Sequence, residues 1–329
     1  MAFVTGATGL VGGWLVEELL GRGAQVVALV RDRLPNSFLE RRGLSGRVIT
    51  VHGGLDDIGT VRRALSEYGV DTVFHLAAQT LVGVAKTDPL GTLEANVRGT
   101  WNVLEACRQT QVKQVVVASS DKAYGSSGEL PYLETHPLRG QYPYDCSKSC
   151  TDLIATMYAA TYGLRVGIAR CANIFGGGDL NFSRIIPDAI RSTLGGERVR
   201  IRSDGRFIRD LLYVRDAVGA YLCLAEHLSR NAALAGEAFN FSLEVKMTVL
   251  ETVRLVLKLM GRPDLEPVIQ NVAGSEIREQ YMFCGKARSQ MGWSPQYTLE
   301  TGLRETIAWY TEFLQSGPSI PAMASAGSR

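Results

Sequence analysis

The spacing of apolar and polar positions changes repeatedly along the first half of the chain. Val26 to Val30 is an unbroken apolar run, the pattern of a strand buried on both faces. Leu10 to Gly21 instead gathers Leu15, Val16, Leu19 and Leu20 on one side at helical spacing. The same reading predicts strands at residues 3–4, 47–51, 71–76, 112–118 and 165–169. Helices are expected at residues 57–68, 90–110 and 144–162. Regular alternation of this kind predicts an α/β fold, a parallel sheet with helices wound on both faces.

The second half is less regular and reads as a smaller α/β lobe. Helices are expected at Ile185 to Leu194 and at residues 214–226, 247–260 and 303–314, with a short strand at 199–202. Pro187 is tolerable only near the start of its helix, where its missing N–H has no partner to lose. Residues 317–329 are small and polar, and are expected to be a disordered tail.

Composition narrows the class. A chain of 329 residues can bury a large core and form two lobes. A net charge of +2 supplies no field that would favour nucleic acid or an acidic membrane surface. The six cysteines, Cys107, Cys146, Cys150, Cys171, Cys223 and Cys284, have neither zinc-site nor C-x-x-C redox spacing, and no metal site is expected. Cys146 and Cys150 read as small apolar positions one helical turn apart. With no leader-like segment and no long apolar span in the sequence, a reducing cytoplasm is the expected location.

Candidate chemistry begins at Thr5-Gly6-Ala7-Thr8-Gly9-Leu10-Val11-Gly12, between the first strand and the first helix. Gly6 permits a tight turn, Gly9 lets backbone approach a pyrophosphate, and Gly12 lets helix and strand pack closely. Thr8 and Leu10 flank the middle glycine, where helix N-terminal N–H groups meet negative phosphates. Tyr144 and Lys148, four residues apart, share one face of a helix. An ammonium there lowers a phenol's pKa, so the phenolate can take a hydroxyl proton as hydride leaves. At the end of the second strand, Asp32 would bind an adenosine ribose diol and favour NAD, whereas Arg31 would suit the 2′-phosphate of NADP. NAD is the expected cofactor, with NADP left open.

The glycine spacing together with Tyr144-x-x-x-Lys148 resembles the extended branch of the short-chain dehydrogenase/reductase family. Further stretches are similar to its nucleotide-sugar epimerases and dehydratases: His75-Leu76-Ala77-Ala78-Gln79, Asn96 in its helix, Arg170-Cys171-Ala172-Asn173-Ile174-Phe175-Gly176, and Arg209-Asp210-Leu211-Leu212-Tyr213-Val214. The resemblance runs from Phe3 to Trp309 and is strongest to CDP-glucose 4,6-dehydratase-like enzymes. It implies a Rossmann-type dinucleotide domain over residues 1–170. Residues 171–316 would be mainly a nucleotide-sugar lobe, with some segments returning to the first domain. Leu76, Ala77 and Ala78 would run beneath the cofactor, and Gln79, Asn173, Asn181, Arg209 and Arg278 would face the nucleotide-sugar. The family has Gly-Asp after its third strand; here Gly53-Gly54-Leu55 stands instead, leaving the adenine to backbone, Asp56 or Asp57. A homodimer through residues 90–110 and 144–162 is also implied.

Ser119-Ser120-Asp121-Lys122 follows the expected strand at 112–118. By the resemblance, Ser120 and Tyr144 grip the sugar 4-hydroxyl. Elimination of water across C5–C6 then needs two more titratable groups. Epimerases usually have small or uncharged residues at that place, and CDP-glucose dehydratases have Asp-Lys. Asp121 would serve the C6 oxygen and Lys122 the C5 proton. The expected activity is NDP-hexose 4,6-dehydration. An epimerase and a non-catalytic nucleotide binder are the alternatives.

Overall fold

The computed structural model describes residues 1–272 and 277–316. The expected tail at 317–329 lies outside the described residues. Seven strands form one sheet in which neighbouring strands all run parallel. Six come from the first half: β1 (Ala2–Thr5), β2 (Val26–Val30), β3 (Ile49–His52), β4 (Thr72–His75), β5 (Gln114–Ser120) and β6 (Val166–Cys171). The seventh, Ala238–Phe241, comes from beyond residue 171 and pairs with β6. Outward from the centre, β1 is followed by β2 and β3 on one side and by β4, β5 and β6 on the other. The order in which strands are added therefore reverses between β1 and β4, and open α/β sheets bind ligands beyond the strand ends at such a point.

Alternate residues of each strand enter different cores, which explains the unbroken apolar runs. Phe3, Val27, Val73, Val115 and Val117 join one cluster, and Val4, Ala28, Phe74 and Val116 the other. A third core holds the lobe together around Phe175, Phe182, Leu211, Tyr213, Val253 and Tyr310. Its strands have two or three residues each, such as Ile208–Arg209 and Leu211–Tyr213.

Two expected helices differ in the structure. Residues 90–110 divide into Pro89–Leu93, a π-helical turn at Glu94–Arg98, and Gly99–Gln109. The π turn surrounds the buried Asn96, whose Nδ2 donates to the Gln79 carbonyl and to Ser147 Oγ, both at 2.9 Å. Residues 247–260 begin instead as a strand, Met247–Thr248, antiparallel to Ile208–Arg209. The helix starts at Val249 because Thr248 and Glu251 form a reciprocal capping box. Among the described residues, no helix is long and apolar enough to cross a membrane.

Candidate active site

The glycine turn sits at the reversal point. Thr5 Oγ1 lies 2.9 Å from His75 Nδ1 and accepts from the Leu76 and Ala77 N–H groups, both at 3.1 Å. These bonds fold the 76–79 loop over the end of β1. Gly6 has φ of +74°, and a Cβ there would come within 2.8 Å of the Ala77 nitrogen. A Cβ on Gly12 would overlap the Gly6 carbonyl. Gly9 caps the following helix without a side-chain hydrogen bond, so the first-turn N–H groups are left for a ligand. A bare helix N-terminus behind a turn with no room for side chains fits a dinucleotide pyrophosphate.

Further out, Arg31 Nε binds Asp32 Oδ2 at 2.6 Å and both side chains are exposed. Asp56 is exposed at the same edge, and Asp57 instead caps the next helix by accepting from Thr60 N at 3.0 Å. Gln79 is committed to its own loop, donating to the Leu81 carbonyl at 3.0 Å and accepting from the Leu81 N–H.

Strand β5 ends at Ser120, and residues Asp121–Tyr124 make one 3₁₀ turn. Ser120 Oγ donates to Asp121 Oδ1 at 2.9 Å and accepts from Lys122 N at 3.3 Å. The Lys122 ammonium then bridges Asp121 Oδ1 at 3.2 Å and Asn173 Oδ1 at 3.0 Å. Asn173 is held by its other end, Nδ2 donating to the Asp210 carbonyl at 3.0 Å. Asp121 is fully buried, and its Oδ2 has no partner among the described residues.

The long helix Pro143–Tyr162 supplies the other half of the site. Burial and the Asp121 charge push the Tyr144 phenol up, whereas Arg184 and the Ser120 hydroxyl pull it down. Arg184 is thus one cation that acts on Tyr144. Lys148 donates to the Ala118 carbonyl at 2.8 Å, and burial lowers its pKa to about 8. Arg184 is fixed by Asp179 Oδ2 at 2.7 Å and Thr80 Oγ1 at 2.9 Å. It escaped the sequence reading because it stands between Asn181 and an apolar helix start. Asn181 Nδ2 is buried without a partner among the described residues, while its Oδ1 caps Ser183. Arg209 Nη1 donates to the carbonyls of Ile208, Ile277 and Arg278, with its guanidinium 5.3 Å from the Phe207 ring centre. Arg278 itself is exposed.

Behind the 3₁₀ turn, Tyr124 Oη donates to Asn240 Oδ1 at 2.7 Å and accepts from Arg170 Nη1 at 2.8 Å. Arg170 forms a buried ion pair with Asp152 at 2.5 Å. One network thereby connects the turn, the long helix, β6 and the seventh strand.

A doubly wound sheet with a glycine turn at its reversal point, facing Ser120, Tyr144 and Lys148, defines a dinucleotide-dependent enzyme of the extended short-chain dehydrogenase/reductase type. The model of the NAD dependent epimerase/dehydratase family matches residues 2–241, and the chain belongs to that family. CDP-glucose 4,6-dehydratase of Salmonella typhimurium is 31% identical over 95% of this chain and 91% of its own. A dTDP-glucose 4,6-dehydratase from Streptomyces venezuelae, crystallised with NAD, superposes with TM-score 0.86 at 28% identity, covering 95% of this chain and 98% of that one. UDP-glucose 4-epimerase of Thermotoga maritima, solved with UDP-glucose, also gives 0.86, at 27% identity and with 95% and 99% covered. Backbone similarity alone therefore does not separate dehydratase from epimerase; the side chains beside Ser120 must.

Proposed function

We propose that the protein is an NAD-dependent NDP-hexose 4,6-dehydratase of the cytoplasm. The observation that carries this reading is the Ser120–Asp121–Lys122–Asn173 chain, with Asp121 Oδ2 unpartnered among the described residues. Residues 1–170 hold the dinucleotide, and 171–316 mainly hold the nucleotide-sugar. NAD held at the glycine turn and by Lys148 would supply the hydride acceptor for oxidation at C4 and the hydride donor for C6. Ser120 and Tyr144 hold the 4-hydroxyl, and Tyr144 takes its proton. Lys148 secures the nicotinamide ribose. Oxidation at C4 acidifies C5–H, which Lys122 removes, while Asp121 serves the departing C6 oxygen. Asn173, Asn181 and Arg209 face the nucleotide and its diphosphate, where a guanidinium fork pairs with phosphate oxygens. Arg184 joins this set beside Tyr144.

The test is incubation with a panel of CDP-, dTDP-, GDP- and UDP-sugars in deuterated water, read by mass spectrometry. Loss of water with solvent deuterium in the product is expected. An isomerised sugar of unchanged mass, without deuterium, would establish the epimerase instead.

Two copies pair through an apolar surface on the helices flanking the site. Leu90 is 70% exposed and Leu153 61%, with Trp101, Met157 and Leu93 also exposed. Packing these helices against a second copy gives a four-helix contact across a two-fold axis. The double variant Leu90→Glu/Leu153→Glu is expected to sediment as a monomer where the wild type sediments as a dimer. A wild-type monomer at micromolar concentration would defeat the assignment.

A further inference from the structure

Asn173 opens the short strand Asn173–Phe175, which pairs in parallel with Leu211–Tyr213. Its backbone N–H and its side-chain Nδ2 both donate to the Asp210 carbonyl, at 3.2 and 3.0 Å. That carbonyl is itself fixed. Asp210 is fully buried, its N–H donates to the Gln280 carbonyl at 3.0 Å, and its Oδ2 accepts from Met282 N at 3.0 Å. The double clasp decides which way round the amide lies. A flipped amide would set its oxygen against the Asp210 carbonyl and its NH₂ against the Lys122 ammonium, two repulsive contacts. Oδ1 is therefore held towards Lys122, whose Nζ donates to it at 3.0 Å. Lys122 belongs to the 3₁₀ turn after β5, so this contact joins that turn to a strand of the lobe.

A tetrahedral lysine nitrogen has three positions besides its carbon, and all three donate in the ammonium. Asp121 Oδ1 takes one at 3.2 Å and Asn173 Oδ1 takes another at 3.0 Å. The third has no partner among the described residues. With Asp121 alone, the nitrogen could still turn about its bond to carbon. Two acceptors fix that rotation and so give the third position one direction. The Lys122 side chain is 18% exposed, so the open position can meet a substrate.

We infer that Asn173 is a positioning residue of the elimination centre: it aims the one open position of the Lys122 nitrogen at C5. The inference rests on the dehydratase reading, in which that nitrogen takes the C5 proton. The open position first loses its proton to solvent, leaving a lone pair there. The C5–H bond then breaks, its electron pair enters the enolate of the 4-ketone, and the proton joins the lone pair. Asp121 and Asn173 keep the other two N–H groups throughout.

The test compares wild type, Asn173→Leu, Asn173→Asp, Lys122→Met and the double variant Asn173→Leu/Lys122→Met. The substrate is whichever sugar of the CDP-, dTDP-, GDP- and UDP- panel the wild type converts fastest. Leucine keeps the size of the side chain and removes both amide contacts. Single-turnover elimination is expected to fall about 10²-fold, the effect of misplacing a reacting group by about 1 Å. Reduced nicotinamide should then build up during turnover. Deuterium at C5 should slow the variant more than the wild type, because proton removal has become the slow step. Asn173→Asp keeps an acceptor for Lys122 and should recover most of the rate. Its rising limb should lie at higher pH, because an opposite charge favours the ammonium. In the Lys122→Met background, leucine at 173 should cost nothing further in elimination. A rise in KM with kcat and the C5 isotope effect unchanged would make Asn173 a nucleotide-sugar ligand only and overturn the inference. Full additivity with Lys122→Met would overturn it too. If Asn173→Leu does not fold, Asn173→Asp decides alone, and an unmoved limb overturns the inference. Each of these outcomes leaves the dehydratase reading standing. Absence of water loss from every panel sugar with the wild type would instead overturn that reading, and the inference with it.

Discussion

Replacing Lys122 by methionine is expected to lower elimination by about 10²–10⁴-fold, the usual contribution of a positioned general base. The C4 oxidation should survive, because Ser120, Tyr144 and Lys148 remain. Single-turnover absorbance would then show reduced nicotinamide that forms and persists, since nothing consumes the 4-keto sugar by elimination. Methionine fills much of the lysine's apolar volume, so the change isolates the ammonium. Asn173 Oδ1 and Asp121 Oδ1 each lose one donor, and the fully buried Asp121 keeps the Ser120 hydroxyl as a donor to the same oxygen. Loss of oxidation together with elimination would mean that Lys122 organises the whole site. Unchanged elimination would return the C5 proton to another group.

Asp152→Ala should produce the largest loss of stability, about 3–5 kcal/mol, because it strands a buried guanidinium. Asp152 is 1% exposed and Arg170 6%, so solvent offers Arg170 little compensation. Urea denaturation would show a lower midpoint with unchanged slope. The effect should reach the chemistry as well, since Arg170 also holds the Tyr124 hydroxyl at the end of the 3₁₀ turn. A loss below about 1 kcal/mol would contradict the account, for it would equal that of an exposed pair. Asp152→Asn, which retains an acceptor for Arg170 Nε, should lose less.

The sheet was legible because each central strand is buried on both faces and each helix on one. Those two patterns are local. The lobe was harder: strands as short as Arg200–Ile201 and Val268–Ile269 carry no period, and their pairing depends on residues far away in sequence. The break at Glu94–Arg98 was invisible because apolar spacing continues through it. Within the site, Ser120, Asp121, Lys122, Tyr144, Lys148 and Asn173 were singled out through the family resemblance, and four of them, Ser120, Asp121, Lys122 and Asn173, stand in one hydrogen-bonded chain. Arg184 was not. A charged residue just before a helix looks solvated until its partners are placed, as Asp179 and Thr80 are around Arg184. Gln79 shows the converse, a motif residue whose amide is occupied by its own loop.

The π turn has a consequence for what changes in length the chain tolerates. A wider turn carries one residue more than α-helical geometry requires, and each residue advances a helix by about 100°. Deleting one residue between Glu94 and Arg98 would restore regular winding but rotate one flank against the other. Either Asn96 would leave Gln79 and Ser147, or Thr100 would leave His75 Nε2, which it now meets at 3.1 Å. The extra residue works as a phase adjuster between two halves of one rod, each keyed to a different loop of the site. A frame-preserving deletion there should therefore be more damaging than most substitutions in the same segment.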